Sequence, residues 1–304
     1  NDTLSFMENS PLKDKLVILT GVGLTPVNHV FRDITTDAPS HTLVSVDGNE
    51  YKANIGAATA YELCKAGAAV HMLARTEKNL EIVLKWIKND LPNSKIFYSP
   101  LDLKDETQVN NFINALPKDR TIYWVQCVGL GGGTVTVKDD NPYLAIKDIS
   151  SELVEAEMTV LEDTVAFLQK LLPVFKNQKE TRVVIVSSMS AIRSVPGGAI
   201  HNAAKGAISR FANAAMIELG KDGIFITDVR PGGVDTGMYD TNAVQESIRS
   251  MATSYGYDWS EANGGLRLAP PSSIGKAVTA VLSSEAHITS LNLVARGQWP
   301  HEGS

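Results

Sequence analysis

The sequence has little of what marks secreted, membrane-spanning and nucleic-acid-binding proteins. It contains only two cysteines, Cys64 and Cys127, which form no CxxC or metal-binding spacing and are expected in the core. No segment approaches the roughly 20 apolar residues of a transmembrane helix, and the N-terminus lacks the apolar run of a signal peptide. We therefore expect a reduced, cytoplasmic protein with no membrane partner and no bound metal.

Positive charge is also scarce. The 28 Lys and Arg residues are outnumbered by 34 Asp and Glu residues, which gives a net charge of −6, and no basic cluster is present. Nucleic-acid-binding domains usually carry a basic face, so we expect no nucleic-acid partner and a small-molecule substrate instead. Hydrophobic residues make up 43% of the chain, which is enough to build a core of ordinary size.

Short β-rich runs alternate with longer helical patterns along the chain. The predicted strands cover residues 16–19, 69–73, 95–98, 122–126, 182–186, 224–229 and 291–294. The predicted helices cover residues 55–66, 77–89, 106–116, 152–175, 199–219 and 273–282. This alternation predicts a doubly wound parallel sheet of about seven strands, Rossmann-like, with helices on both faces. No Pro/Gly-rich linker or internal repeat interrupts it, so we expect residues 1–304 to form a single domain.

Two stretches depart from the alternation. Residues 22–53 stand where a tight turn should join the first strand to its helix, and residues 42–52 predict a β-hairpin that turns at Asp47-Gly48. Residues 235–267 are rich in Gly, Ser, Tyr and Met and are predicted to cover a substrate site. The apolar and aromatic side chains of this segment would line that site: Met238, Tyr239, Met251, Tyr255, Tyr257 and Trp259.

The first strand and the first helix carry a candidate phosphate-binding loop. Gly21 ends the strand, and Asn54, Ile55 and Gly56 open the helix. A glycine there lets the backbone approach a pyrophosphate, which the positive end of a helix attracts. Such short glycine matches also occur in plain turns, so this alternative stays open. The insert could bring His29 or Arg32 to the phosphates, or it could be a surface hairpin that serves an oligomer contact.

Two further residues follow predicted strands at the edge where doubly wound sheets bind ligands. Arg75 lies where a ribose 2′ substituent would be, and a guanidinium suits a 2′-phosphate. Asp102 could accept a hydrogen bond from an adenine amine. Each residue alone is also compatible with a surface charge or a helix cap. Their joint position favours a dinucleotide cofactor, NADP, with NAD possible.

The segment 186–205 (VSSMSAIRSVPGGAIHNAAK) carries the most specific pattern, with Ser188 at the end of a strand and Lys205 on the following helix. Together with the segment 230–236 (RPGGVDT), it resembles the short-chain dehydrogenase/reductase family, and the similarity runs from about residue 12 to about residue 297. The resemblance implies that Ser188 orients the substrate oxygen and that Lys205 holds the nicotinamide ribose. It also implies a homodimer or homotetramer, and nicotinamide contacts from the segment after the sixth strand: Pro231, Gly232, Val234 and Thr236.

The departures from the family pattern are as informative as the matches. The tyrosine that serves the family as general acid is His201 here, and an imidazole has a reference pKa of about 6.5 against about 10 for a phenol. The helix asparagine of the family has no counterpart, since Thr159 and Val160 stand nearest to its position. The leading hypothesis is an NADP(H)-dependent oxidoreductase of carbonyls or alcohols in which His201 replaces the tyrosine. A non-redox lyase, isomerase or cyclase and a non-catalytic binding subunit are the alternatives.

Overall fold

The structure, a computed structural model, describes residues 10–30, 43–129, 146–194, 197–254, 256, 267–296 and 298. Several residues named above, Arg32, Tyr255, Tyr257 and Trp259, lie outside these ranges, as does the side chain of Met251. The ten strands are β1 (Leu16–Thr20), β2 (Leu24–Pro26), β3 (Val44–Val46), β4 (Asn49–Ala53), β5 (Ala69–Ala74), β6 (Lys95–Pro100), β7 (Ile122–Gln126), β8 (Thr181–Val186), β9 (Ile224–Pro231) and β10 (Ser290–Leu293).

Seven of these strands form the central sheet, in the order β10-β9-β8-β7-β1-β5-β6, and all of their pairings are parallel. Every residue of β1 and β7 is buried, because both faces of a parallel sheet are covered by helices. The strand order reverses beside β1, between β5 on one side and β7 on the other. In doubly wound folds, ligands bind at the carboxyl ends of the strands near such a reversal.

Seven α-helices accompany the strands within the described residues: α1 (Ile55–Lys65), α2 (Glu77–Asp90), α3 (Glu106–Asn114), α4 (Ser151–Lys176), α5 (Ala199–Gly220), α6 (Asn242–Ser254) and α7 (Pro271–Ser283). Helices α1, α2 and α7 pack on one face of the sheet, and α3, α4 and α5 pack on the other. On the second face, Trp124 is fully buried and meets the ring of Phe167 edge-on at 5.4 Å. The predicted doubly wound α/β fold is therefore confirmed.

Helix α6 is the main addition to the predicted elements, and it lies in the segment predicted as a substrate cover. Only Val244 and Ile248 are buried among its described side chains, while the residues around them are mostly polar. Two apolar positions four residues apart are too weak a pattern to predict a helix. No helix in the described part of the chain is both long and apolar enough to cross a membrane.

The insert after β1 forms a small antiparallel sheet in the order β2-β4-β3. Its turn lies at the predicted place, since Asp47 (φ 53°) and Gly48 (φ 77°) both adopt the left-handed conformation that a two-residue hairpin turn favours. Strand β2 adds a third strand to the predicted hairpin. Val44 and Val46 point into the main core, so the insert is packed against the domain rather than projecting from it.

Candidate active site

The insert divides the candidate phosphate loop in the sequence, but the two parts of the loop lie next to each other in the structure. Leu24 of β2 pairs with Ala53 of β4, so the chain leaves and re-enters the loop at neighbouring positions. The Asn54 backbone N–H donates to the Gly23 carbonyl at 3.1 Å, and the Asn54 amide nitrogen donates to the Gly21 carbonyl at 2.9 Å. Asn54 Oδ1 accepts from the N–H of Gly23 at 3.1 Å and, as the N-cap of α1, from a backbone N–H in the first turn of that helix at 2.8 Å. Asn54 therefore closes the loop with its side chain.

Two glycines of this loop have no room for a side chain. A Cβ atom on Gly21, whose φ is +87°, would lie 2.5 Å from the backbone of Cys127, and one on Gly56 would lie 2.5 Å from the Gly21 carbonyl oxygen. The loop is thus folded tightly against the N-terminus of α1, whose first turn contains no acidic residue. An uncompensated helix N-terminus at the end of β1 suits an anionic group such as a pyrophosphate.

Arg75 and Asp102 lie at the ends of β5 and β6, near a common neighbour on α4. Arg75 is exposed and forms no ion pair within the described part of the chain. Burial raises the pKa of Asp163, an effect that the Asp102 carboxylate strengthens and the charges of Lys104 and Arg75 oppose. One Asp102 oxygen accepts from the Lys104 N–H at 3.0 Å. The guanidinium is therefore available to an anionic ligand at the edge where the sequence predicts a 2′-phosphate.

Ser188 follows β8 and faces the end of β9. Its hydroxyl oxygen accepts a hydrogen bond from the Ser190 N–H at 3.0 Å, and its O–H lies 3.5 Å from the Pro231 carbonyl oxygen. The first contact makes Ser188 the N-cap of a short 3₁₀ turn, Met189–Ala191. The second places this serine directly beside the predicted nicotinamide segment.

Lys205 lies on α5 with only 8% of its surface exposed. A Cβ atom placed on Gly129 would lie 3.7 Å from its ammonium nitrogen, which locates that nitrogen just beyond the end of β7. Burial lowers the pKa of Lys205, and the nearby groups Glu157, Cys127 and Asp228 oppose the shift. Its ammonium donates no hydrogen bond to any residue that the structure describes. A buried cation in this state suits a hydroxyl-rich ligand such as a ribose.

His201, one turn before Lys205 on α5, is held by a carboxylate that the sequence analysis did not single out. Its Nδ1 lies 3.1 Å from Oε1 of Glu157, a residue of α4 that is 7% exposed. Thr159 and Val160 do not take the place of the missing asparagine, because the Thr159 hydroxyl donates to a carbonyl of its own helix and Val160 packs in the core. The helix thus contributes an acid to the site, where the related family has an amide.

A sequence signal for Glu157 exists in the periodicity of α4. The buried positions of this helix recur every three or four residues and are otherwise apolar or neutral: Leu153, Glu157, Val160, Thr164, Phe167, Leu168, Leu171 and Phe175. A charged residue on a buried helical stripe is costly unless it is paired. An acid at this position therefore indicates a partner across the helix interface.

Gln298 holds the predicted nicotinamide segment through two hydrogen bonds to the backbone of Gly233. Its Oε1 accepts from the Gly233 N–H at 2.7 Å, and its amide nitrogen donates to the Gly233 carbonyl at 2.9 Å. A Cβ atom on Gly232 would lie 2.0 Å from the same Oε1, so the close contact requires glycine. The sequence alone does not indicate this role of Gln298, because it depends on a contact between residues 65 positions apart.

The rest of the segment leads away from β9. The Val234 side chain is buried in the core, so a ligand at this position would meet its backbone. Thr236 is half-buried and donates its N–H to the Val234 carbonyl at 2.9 Å. The predicted catalytic and nicotinamide-binding residues thus gather around the carboxyl ends of β7, β8 and β9. Arg75 and Asp102 lie beyond the ends of β5 and β6, on the other side of β1.

Comparisons with known proteins agree with this architecture. The short chain dehydrogenase family model matches residues 51–247. A dehydrogenase/reductase SDR family protein 7-like from Anopheles gambiae is 28% identical over 229 residues, which cover 74% of this chain and 68% of the relative. A levodione reductase from Leifsonia aquatica is 23% identical over 245 residues, which cover 79% of this chain and 88% of the relative. The family match begins at β4 and leaves out β1, which the insert separates from the rest.

Solved structures with the same fold include two NADPH-bound enzymes. A short chain oxidoreductase from Pseudomonas aeruginosa PAO1, which contains an atypical catalytic center, has a TM-score of 0.66 and 18% identity and covers 92% of this chain and 95% of its own. L-sorbose reductase from Gluconobacter frateurii, complexed with NADPH and L-sorbose, has a TM-score of 0.66 and 17% identity, with 94% and 97% coverage. These likenesses establish the fold, and the family match extends over most of the chain. The protein therefore belongs to the short-chain dehydrogenase/reductase family of oxidoreductases.

Proposed function

We propose that this chain is an NADP(H)-dependent oxidoreductase that reduces a carbonyl or oxidises an alcohol in a small-molecule substrate. The observation that carries the proposal is the ammonium of Lys205, a residue only 8% exposed, which has no hydrogen-bond acceptor among the described residues and lies on the same helical face as His201. Ser188 and the Pro231 segment approach from the neighbouring strands. The NADPH-bound neighbours of the same fold add support for the cofactor.

When bound, the nicotinamide cofactor would supply or accept the hydride. The residues proposed to hold it are the loop around Gly21 and Gly56 for the phosphates and Lys205 for the ribose. Arg75 and Asp102 are proposed to contact the adenosine half, and the backbone of segment 231–236 the nicotinamide. Ser188 would donate its O–H to the substrate oxygen and so orient the carbonyl. These roles require only groups that lie at the carboxyl edge of the sheet.

His201 would move the proton that accompanies hydride transfer. Since Nδ1 faces the Glu157 carboxylate, Nε2 is the nitrogen left for the substrate. In reduction, an imidazolium would give its Nε2 proton to the oxygen that becomes the alcohol, and in oxidation a neutral Nε2 would accept that proton. Glu157 supplies the counter-charge for the imidazolium, which opposes the repulsion from Lys205.

The cofactor proposal is tested by titrating NADPH and NADH into the full chain and following nicotinamide fluorescence. We expect NADPH to bind more tightly, and Arg75→Ala to weaken NADPH binding about tenfold or more while leaving NADH nearly unchanged, because only NADPH carries the 2′-phosphate. Lys95→Ala is the matched control, since it removes one exposed positive charge at the opposite end of the sheet. Failure of both cofactors to bind would refute the proposal.

The role of His201 is tested by comparing two glutamate variants of α4. Glu157→Gln keeps an acceptor for Nδ1 but removes the counter-charge, so we expect catalysis at neutral pH to fall about tenfold or more in both directions. Glu155→Gln changes an exposed acid two positions away and should be silent. His201→Ala should abolish both directions. Unchanged catalysis by Glu157→Gln would contradict the counter-charge role.

One observation favours a second candidate function. A neutral histidine backed by a carboxylate is a better base near neutral pH than a phenol, which suits a lyase, an isomerase or a cyclase on the same scaffold. The two candidates differ in a single measurement. Substrate conversion without any change in nicotinamide absorbance would favour the non-redox enzyme, whereas stoichiometric consumption of NADPH supports the oxidoreductase.

A further inference from the structure

We propose that Lys52, in the insert, is a positioning residue that fixes the segment after β9 and thereby makes the insert one wall of the active site. The substrate-binding part of this inference rests on the proposed function, but the positioning itself does not. The matched family model begins at residue 51 and so leaves out most of the insert. The inference comes from a buried charge cluster that the proposed chemistry leaves unused.

The cluster consists of one lysine between two aspartates. Lys52 Nζ lies 2.6 Å from Oδ1 of Asp235 and 2.6 Å from Oδ1 of Asp240, and the exposed fractions of the three side chains are 0%, 1% and 1%. Both distances are those of charge-assisted hydrogen bonds. Lys52 belongs to β4 of the insert, whereas both aspartates belong to the segment predicted to cover the substrate. The cluster therefore joins two parts of the chain that are more than 180 positions apart.

Backbone contacts extend the same junction to β2. Asp240 Oδ2 accepts from the N–H groups of Asn28 at 3.3 Å and His29 at 3.2 Å, directly after that strand. A Cβ atom on Gly237, whose φ is +92°, would lie 2.7 Å from the Thr25 side chain. Segment 235–240 thus packs directly against the insert at Gly237 and Asp240. The backbone N–H of His29 is thus directed to this carboxylate.

The opposite side of the segment is fixed to the domain. The Asp235 N–H donates to the Ala269 carbonyl at 3.0 Å, and Val234 forms a parallel bridge with Ala269. Gln298 holds Gly233 two residues earlier. Residues 233–240 are therefore held between the C-terminal part of the domain and the insert. Removal of the Lys52 contact would leave residues 235–240 held to the insert mainly by the neutral backbone contacts of Asp240.

The polarity of the junction points to positioning rather than to stability alone. Well-packed apolar residues stabilise a buried contact at least as well as an ion pair does, because desolvation offsets much of the attraction. A lysine that donates to two carboxylates, however, defines the relative placement of three backbone segments within hydrogen-bond tolerance. Such placement matters next to Thr236 and the predicted nicotinamide segment, where small displacements are costly to catalysis.

The proposal is tested by hydrogen–deuterium exchange of the full chain without cofactor, read by peptide. We expect peptides from residues 235–254 to exchange about tenfold or more faster in Lys52→Met, because the charged part of their anchorage on the insert is lost. The triple variant Lys52→Met/Asp235→Asn/Asp240→Asn removes all three charges at nearly constant shape, and it should show the same local change if the single variant folds poorly. Lys85→Met is the matched control, because Lys85 joins the same insert to α2 through an exposed pair with Asp47.

Two outcomes would overturn the proposal. Unchanged exchange of residues 235–254 in the triple variant would show that Lys52 does not hold them, and an equal increase over residues 69–100 would show general destabilisation instead of positioning. For a carbonyl that the wild-type chain reduces, the triple variant should raise KM about tenfold with a smaller change in kcat and in the NADPH dissociation constant. If the wild-type chain binds no NADPH, the proposed function fails, while the exchange experiment still decides on Lys52.

Discussion

The tight contact between Gly56 and Gly21 makes the candidate phosphate loop sensitive to a single methyl group. In Gly56→Ala, the added Cβ would lie 2.5 Å from the Gly21 carbonyl oxygen and 3.0 Å from its carbonyl carbon. Both neighbours are backbone atoms, which cannot rotate away as a flexible side chain does. Restoring an ordinary contact of about 3.5 Å requires the Gly21 backbone to move by about 1 Å.

The size of the effect on stability follows from the cost of overpacking. Inserting a methyl group into a well-packed site costs about 1–3 kcal/mol. For a chain of 304 residues, the entropy of unfolding is about 0.6 kcal/mol per degree, so Tm should fall by about 2–5 °C. If the loop binds the cofactor phosphates, the same displacement should also weaken NADPH binding about tenfold or more, and a tenfold loss corresponds to about 1.4 kcal/mol.

The control separates these two effects. Gly275→Ala would place a Cβ 2.8 Å from the Ala58 carbonyl oxygen, at the contact between α7 and α1, and so imposes a similar clash away from the loop. Calorimetric melting and NADPH titration of both variants form the assay. We expect similar losses in Tm and a loss of affinity in Gly56→Ala alone. Equal affinities in the two variants would refute the assignment of this loop to the phosphates.

Further predictions concern the buried polar groups of the domain. Asp228→Ala should lower the free energy of unfolding in urea by about 3–5 kcal/mol, because Asp228 pairs with the Arg230 guanidinium at 2.7 Å in the interior. A loss below about 1 kcal/mol would contradict this prediction. Burial raises the pKa of both Cys64 and Cys127 to about 12. Iodoacetamide at neutral pH should therefore alkylate neither thiol until the chain is unfolded, and rapid labelling of the native protein would contradict this prediction. Burial lowers the pKa of Lys205 below its ordinary 10.5, so the unfolded chain binds more protons than the folded chain in the pH window below 10.5. The stability of the wild type relative to Lys205→Met should therefore rise with pH in that window. A flat or falling difference between their urea unfolding free energies would contradict this prediction.

The sequence by itself determined the layers of the domain and the residues at the ends of its strands. Apolar runs such as 16–19 and 122–126 indicated buried strands, because they are short and rich in β-branched and aromatic residues. The spacing of His201 and Lys205 put them on one face of a helix whatever the tertiary arrangement. The Asp47-Gly48 turn was equally predictable, since it depends on local backbone preferences.

Only the tertiary structure decided which side chains complete the candidate site. The partners Glu157 of His201, Gln298 of Gly233 and Lys52 of Asp235 are separated from them by 44, 65 and 183 positions. Periodicity and spacing report on neighbours along one element, whereas these contacts depend on how elements pack across the domain. For the same reason, the sequence predicted a candidate phosphate loop divided by an insert, while only the fold closes that loop through Asn54 and the pairing of β2 with β4.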